Sequence, residues 1–224
     1  LIALDSKGNL DGRVASSWVI SNNGKEYTFN IRKNIYFHNG NKLTAKDVKY
    51  SLDRARNPKT GARSWKILQK INNIKIINDY QIKLYFSKAD NLFLRQIYNY
   101  TMIIPADDNI NHKRNPIGSG PFKLVEFNSE HLLLEKFKNY YIEGLPYLDM
   151  LEFKFVSESS TKSFLLETKA VDFVKSLPYI QTKDLENKND IIIDYGENIE
   201  GPILFFLPVL TFTDSPINNI KIRQ

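Results

Sequence analysis

Three histidines, His38, His112 and His131, and two close acidic pairs, Asp107 with Asp108 and Glu186 with Asp190, are the residues that could do acid–base or metal chemistry in this chain. The histidines stand in three unrelated contexts, none at the i, i+4 spacing that puts two imidazoles around one metal. His38, inside Phe37-His38-Asn39-Gly40, reads as a strand-end residue beside its turn. The acidic pairs lie in polar loops, where nothing would desolvate a carboxylate and raise its pKa. Gly118-Ser119-Gly120-Pro121-Phe122 lacks the glycine spacing that cradles phosphates, and no GxSxG elbow occurs. With no cysteine, disulfides and thiolate chemistry are excluded. The expectation is a protein that is not an enzyme, with no catalytic residue, no metal and no cofactor.

Binding chemistry is concentrated in RARNPKTGARSWKIL, residues 54–68, where Arg63 and Trp65 sit in a loop between a helix and a hairpin. Arginine beside tryptophan can pair a carboxylate while the indole covers an apolar group, and loops on rigid scaffolds carry binding residues. The alternative is that Trp65 anchors the loop to the core. Arg63 and Trp65 are the candidate ligand-binding residues.

The elements that would hold them follow from periodicity. KEYTFNIR alternates, with Tyr27, Phe29 and Ile31 on one face, so a half-buried strand is expected over 25–32. Asn39-Gly40 reverses the chain. Thr44 caps a helix with Asp47 in its first turn, Val48, Leu52 and Ala55 form its apolar stripe, and Asn57-Pro58 ends it. INNIKIINDYQIKLYF reads as a hairpin turning at Asn78-Asp79, followed by a short helix over 91–98. Turn residues fill 115–122, strands follow at 122–127 and 131–136, and Leu151, Phe153 and Phe155 alternate in another. A helix is expected from Ser160 or Thr161 to Thr168, a short buried strand at Val171-Asp172-Phe173, a brief helix capped by Thr182, and a strand in DIIIDYG from Asp190. The fold class is mixed α/β. FTDSPINNIKIRQ breaks off where a polar loop becomes a basic amphipathic segment, so a cut from a longer protein is expected.

The bulk numbers bound the partners. At 224 residues and 42% hydrophobic, the chain can bury one large domain or two modest ones. The net charge of +6 is spread among acids, as in KDVKYSLDR, with no run of like charge, which argues against nucleic acid. No apolar run approaches the roughly 18 residues of a membrane span, and LIALDSKGNL has no signal-peptide pattern, so any signal sequence is expected outside this chain.

Five segments, in order, resemble the extracytoplasmic solute-binding proteins of peptide and nickel ABC importers, the oligopeptide-binding or family 5 proteins. They are DGRVASSWVISNNGKEYTFNIRKNIYFHNGNKLTAKDVKYSLDR (11–54), NPIGSGPFKLVEF (115–127), LEKFKNYYIEGLPYLDMLEFKFV (134–156), STKSFLLETKAVDFV (160–174) and SPINNIKIRQ (215–224). In the fourth, Lys169-Ala170 replaces the usual Gly-Glu. The resemblance implies a periplasmic-binding-protein-like class II lobe with an extra mixed sheet/helix subdomain, from a protein of two lobes that close over ligand. It places 1–117 as the extra subdomain flanking the cleft and 118–224 as part of the first lobe, with the second lobe absent from this chain.

The same resemblance implies capture of a small ligand, a short peptide or alternatively a nickel or other metal chelate, for delivery to ABC permease subunits. A location at the periplasmic or extracellular face of the cytoplasmic membrane, with or without a lipid anchor, and a monomeric state go with it. The FHNG turn and the Thr44-capped helix become scaffold, while Arg63-Ser64-Trp65 falls where family members approach the cleft. An Arg-Trp pair there suits a nickel chelate, and a tyrosine suits a peptide. A ligand-sensing domain of a transcription regulator is the alternative from another class.

Overall fold

The computed structural model describes residues 1–5, 7–98, 102–107, 115–186, 188 and 190–194; His112, Asp108 and the segment 215–224 lie outside them. Dense packing divides the chain into Leu1–Phe155 and a second unit from Val156 onward. The boundary expected near residue 117 was drawn on family lobes and falls inside the first of these units.

The first unit is built on a four-stranded antiparallel sheet in the order β3 (Ala15–Ser21), β4 (Glu26–Ile31), β6 (Gln81–Phe86), β5 (Ile71–Asn78). Strand side chains alternate between faces, and here Tyr27, Phe29 and Ile31 of β4 and Ile82, Leu84 and Phe86 of β6 all point into the core. Directly paired residues share a face, so Trp18 opposite Phe29 and Phe29 opposite Ile82 continue that apolar layer. The opposite face is polar: Gln81 donates to Asn30 at 2.9 Å and Asn30 to Ser17 at 2.9 Å, a side-chain ladder across three strands. Each fully buried Phe, Leu or Ile contributes about 1.5–3 kcal/mol.

Helix α1 (Ala45–Arg56) covers the apolar face through Val48 and Leu52, packing on β5 and β6. Its start is a complete capping box: Lys46 N–H donates to Thr44 Oγ1 at 3.3 Å, and Thr44 N–H donates to Asp47 Oδ2 at 2.8 Å. Asp47 also accepts from Ala106 N–H at 2.9 Å, so one buried carboxylate fixes both the helix and a distant loop. Helices α2 (Trp65–Leu68) and α3 (Phe93–Ile97) close the core, and Tyr27, Phe86 and Phe93 stack edge-on with centroids 4.7–5.3 Å apart. A two-stranded ribbon, β1 (Ile2–Leu4) with β2 (Leu10–Gly12), precedes the sheet.

A second sheet in this unit joins β7 (Phe122–Phe127), β8 (His131–Lys136) and β9 (Met150–Lys154). Its register puts Leu124, Phe127, Leu132, Leu134, Leu151 and Phe153 on one face, while Leu133 and Met150 fall among the charged residues of the other. Lys123, Glu126, His131, Glu135 and Glu152 share the other, where Lys123 pairs Glu135 at 2.8 Å and His131 sits 3.2 Å from Glu152. Among the described residues Phe127 on the apolar face is 63% exposed. A bulge between Leu124 and Glu126 sets this alignment.

The second unit contains α4 (Ser159–Glu167) and α5 (Tyr179–Glu186), joined across their ends by Lys188 and Glu167 at 3.2 Å.

Several expectations shift. The hairpin turns at Asp79-Tyr80, because Asn78 pairs with Gln81 and its side chain accepts from Tyr80 N–H. The segment around Trp65 is helical rather than a loop. Helix α4 starts at Ser159, after Glu158. Thr182 lies inside α5, its hydroxyl bonded to Pro178 O at 3.1 Å, and caps nothing. Val171–Phe173 is no strand and Phe173 is 79% exposed; left-handed backbone at Lys169 and Ser176 brackets the segment and breaks extension on either side. Asp190–Asp194 pairs with no strand among the described residues.

Candidate ligand-binding surface

The segment from Asn57 to Lys70 is held at both ends before it reaches any ligand. Asn57 accepts from Lys59 N–H at 3.0 Å, Thr60 Oγ1 donates back to Asn57 O at 2.7 Å, and Gly61 takes φ +68°, which a side chain would strain. Ser64 is buried, and its carbonyl accepts from Ile67 and Leu68 N–H. Leu68 enters the core, while Arg56 Nη1 donates to Ile71 O at 3.0 Å and ties the end of α1 to β5.

On this frame Arg63 is exposed, and no carboxylate or carbonyl partner for its guanidinium is recorded among the described residues. Trp65 opens α2, half-buried, with Lys66 Nζ 5.8 Å from its ring centre. The two side chains therefore share one short segment: a free cation on a rigid turn and a half-buried indole. None of the clefts described below is lined by either.

The histidines and acids divide between scaffold and surface. His38 clamps the turn at Gly118: its N–H donates to Gly118 O at 2.8 Å, its Nδ1 accepts from Gly118 N–H at 3.3 Å, and Nε2 lies 3.1 Å from Gly120 O. With Nδ1 accepting, Nε2 carries the proton. Burial lowers the imidazole pKa below its usual value and the Lys123 charge lowers it further, outweighing the opposing bond to Gly120. His131 stands between Glu126 and Glu152 at 3.6 and 3.2 Å. Glu186 pairs Lys183 at 2.8 Å, and Asp190 pairs Lys169 at 2.9 Å, a hydrogen bond that holds the Asp190 carboxyl below its usual pKa. No group of three or more potential metal ligands occurs among the described residues.

Three open clefts are formed among the described residues. One of about 750 Å³ is lined by Ser16, Asn30, Arg32, Lys33, Tyr80 and Gln81. A smaller one of about 430 Å³ runs past Tyr36, Tyr140 and Tyr141. The second unit holds one of about 980 Å³, walled by Leu166, Val171, Phe173, Tyr179 and Leu185. Sequence reading missed the first because its walls come from three separated segments; the Arg at the end of β4 was the available signal. Arg32 Nε donates to Arg13 O at 2.8 Å and Nη2 to Gly12 O at 3.3 Å, with its carbon 5.8 Å from the Tyr141 ring centre.

Residues 9–224 match the bacterial extracellular solute-binding proteins, family 5, middle portion, and the chain belongs to that family. The glutathione-binding protein GsiB of Pectobacterium atrosepticum is 29% identical over 231 residues, matching 100% of this chain and 44% of its own length. Among solved structures, AgaA of A. tumefaciens in complex with agropinic acid superposes with a TM-score of 0.71 at 30% identity, covering 76% of this chain and 36% of its own. DppA of Helicobacter pylori, in complex with a peptide, gives 0.76 at 25% identity, over 87% of this chain and 43% of its own. The fold is thus that of a part of a family 5 binding protein, and the chain spans less than half the length of these relatives.

Proposed function

We propose that this chain is part of the extracytoplasmic substrate-binding component of an ABC importer, and that the ligand is a short peptide. The family match over residues 9–224 carries the reading. Two of the similar proteins are described as binding glutathione, itself a tripeptide, and a peptide. The protein does no chemistry on its ligand, works as a monomer outside the cytoplasmic membrane, and hands the peptide to membrane permease subunits.

In this reading residues 1–117 flank the cleft as the extra subdomain and 118–224 belong to the first lobe. Arg63 takes a ligand carboxylate and Trp65 supplies an apolar wall. The turn that carries this exposed guanidinium is already fixed by Asn57, Thr60 and Gly61, so no backbone has to be ordered when it pairs, which favours binding.

The test is native mass spectrometry of the full-length protein purified from its own host. A ladder of bound masses matching short peptides supports the proposal. A single nickel-containing chelate overturns the peptide assignment while leaving the importer role standing, and a protein that carries no ligand and none of a tripeptide library overturns both.

A further inference from the structure

The cleft at Tyr80 lies at the opposite end of α1 from Arg63. Asp79 O accepts from the N–H of Ala45, the first residue of α1, at 2.7 Å, whereas the Arg63 turn follows its last residue. The helix has 12 residues, so at 1.5 Å per residue roughly 18 Å separates the two places.

Two features make this cleft a built site rather than a gap. The first is a set of cations: Arg32, held in place, and Lys33 line the cleft, and the exposed Lys42 stands beside its Tyr80 wall. Arg32 is pinned by two backbone carbonyls through Nε and Nη2, leaving Nη1 with no recorded partner among the described residues. Lys33 Nζ and Lys42 Nζ stand 5.7 and 5.6 Å from the Tyr80 ring centre, and neither is in an ion pair with a described carboxylate.

The second is an anchored aromatic platform ringed by hydrogen-bonding groups. Tyr80 N–H donates to Asn78 Oδ1 at 2.9 Å and its carbonyl accepts from Ile31 N–H at 2.7 Å, so the backbone beneath the ring is held on both sides. Asn30, Gln81, Ser16 and Asp79 border the same space.

We infer that the Tyr80 cleft binds an acidic sugar, a hydroxylated ring bearing one carboxylate. The cations match the carboxylate. The amides and the Asp79 carboxylate accept from ring hydroxyls, while the Tyr80 ring holds the Lys33 and Lys42 ammoniums in place for the carboxylate. Asp79 also selects within the anions: its negative charge at the border disfavours a dianionic phosphate and suits a single carboxylate surrounded by hydroxyls. This site is independent of the peptide reading and of Arg63.

Isothermal titration of the full chain with D-glucuronate, D-glucose and acetate tests it. Saturable glucuronate binding is expected, with glucose and acetate each about tenfold weaker or more, because each lacks one half of the recognition. Lys33→Gln with Lys42→Gln, both exposed and remote from the core, keeps the circular dichroism spectrum and weakens glucuronate about tenfold or more. Arg63→Ala leaves glucuronate binding unchanged. Glucuronate binding no better than acetate, binding that survives the double substitution, or no saturable binding at all overturns the assignment.

Discussion

His38 and Gly118 bond each other twice in opposite directions: the His38 N–H donates to Gly118 O at 2.8 Å, and the Gly118 N–H donates to His38 Nδ1 at 3.3 Å. The second bond exists only while Nδ1 is unprotonated. An imidazolium there would set one N–H against another.

Acid should therefore loosen this joint. The folded-state pKa of His38 is lowered, first by burial, so below the unfolded value of about 6.5 the unfolded chain binds more protons than the folded one. The stability contributed by neutral His38 is full above that pH and is lost as pH falls through the lowered folded value. Urea midpoints at pH 7.5 and pH 5 should differ more for the unsubstituted protein than for His38→Gln. Equal differences would sink the assignment of this pH dependence to His38.

The capping box should be dominated by its acid. Thr44→Ala removes one capping bond and should cost about 1 kcal/mol. Asp47→Ala strips partners from Thr44 N–H, Thr44 Oγ1 and Ala106 N–H together, and should cost roughly 2–3 kcal/mol. Chemical denaturation of both variants gives the order, and a Thr44 effect larger than that of Asp47 would contradict it.

Gly12 is required for close approach rather than for its backbone angle. A Cβ at this position would lie 2.5 Å from Ala15 O, a backbone atom with little room to retreat, at the corner that also receives the Arg32 guanidinium. Gly12→Ala should lower stability by about 1–3 kcal/mol, and thermal melts would show it. Gly40→Ala makes a useful contrast: open space surrounds that position, and its φ of +86° is the sole penalty.

Arg63→Ala should separate binding from folding. The side chain is exposed, so the melting temperature should stay within the change expected for about 0.5 kcal/mol. Affinity for the ligand recovered from the host should fall about tenfold or more if a carboxylate is paired there. Unchanged affinity in calorimetry would remove Arg63 from the site.

The scaffold was legible in the sequence where one local rule decided the structure. The alternation of Tyr27, Phe29 and Ile31 fixed which face of β4 is buried, and Thr44 with Asp47 fixed where α1 begins. Strands β7 and β8 follow the expected bounds for the same reason. Reading failed where the deciding partner was distant or competing. Ile191–Ile193 has strand-forming side chains but no paired strand among the described residues, and Thr182 spends its hydroxyl on Pro178 rather than on a helix start. The four-residue helix at Trp65 is too short to show a period. The Tyr80 cleft had no sequence signature, since Ser16, Arg32 and Tyr80 are neighbours only after β3, β4 and β6 have paired.

The sheet of β7, β8 and β9 behaves like a reading frame. Because successive residues face opposite ways, deleting Leu133 from β8 would turn Leu134 toward the charged side and Glu135 toward the apolar side, scrambling all that follows to the end of the strand. The turn at 128–130 and the stretch at 137–149 carry no such parity. Length variation among relatives should collect in those two places and leave the strands intact, and an inserted epitope tag or fluorophore site belongs there too.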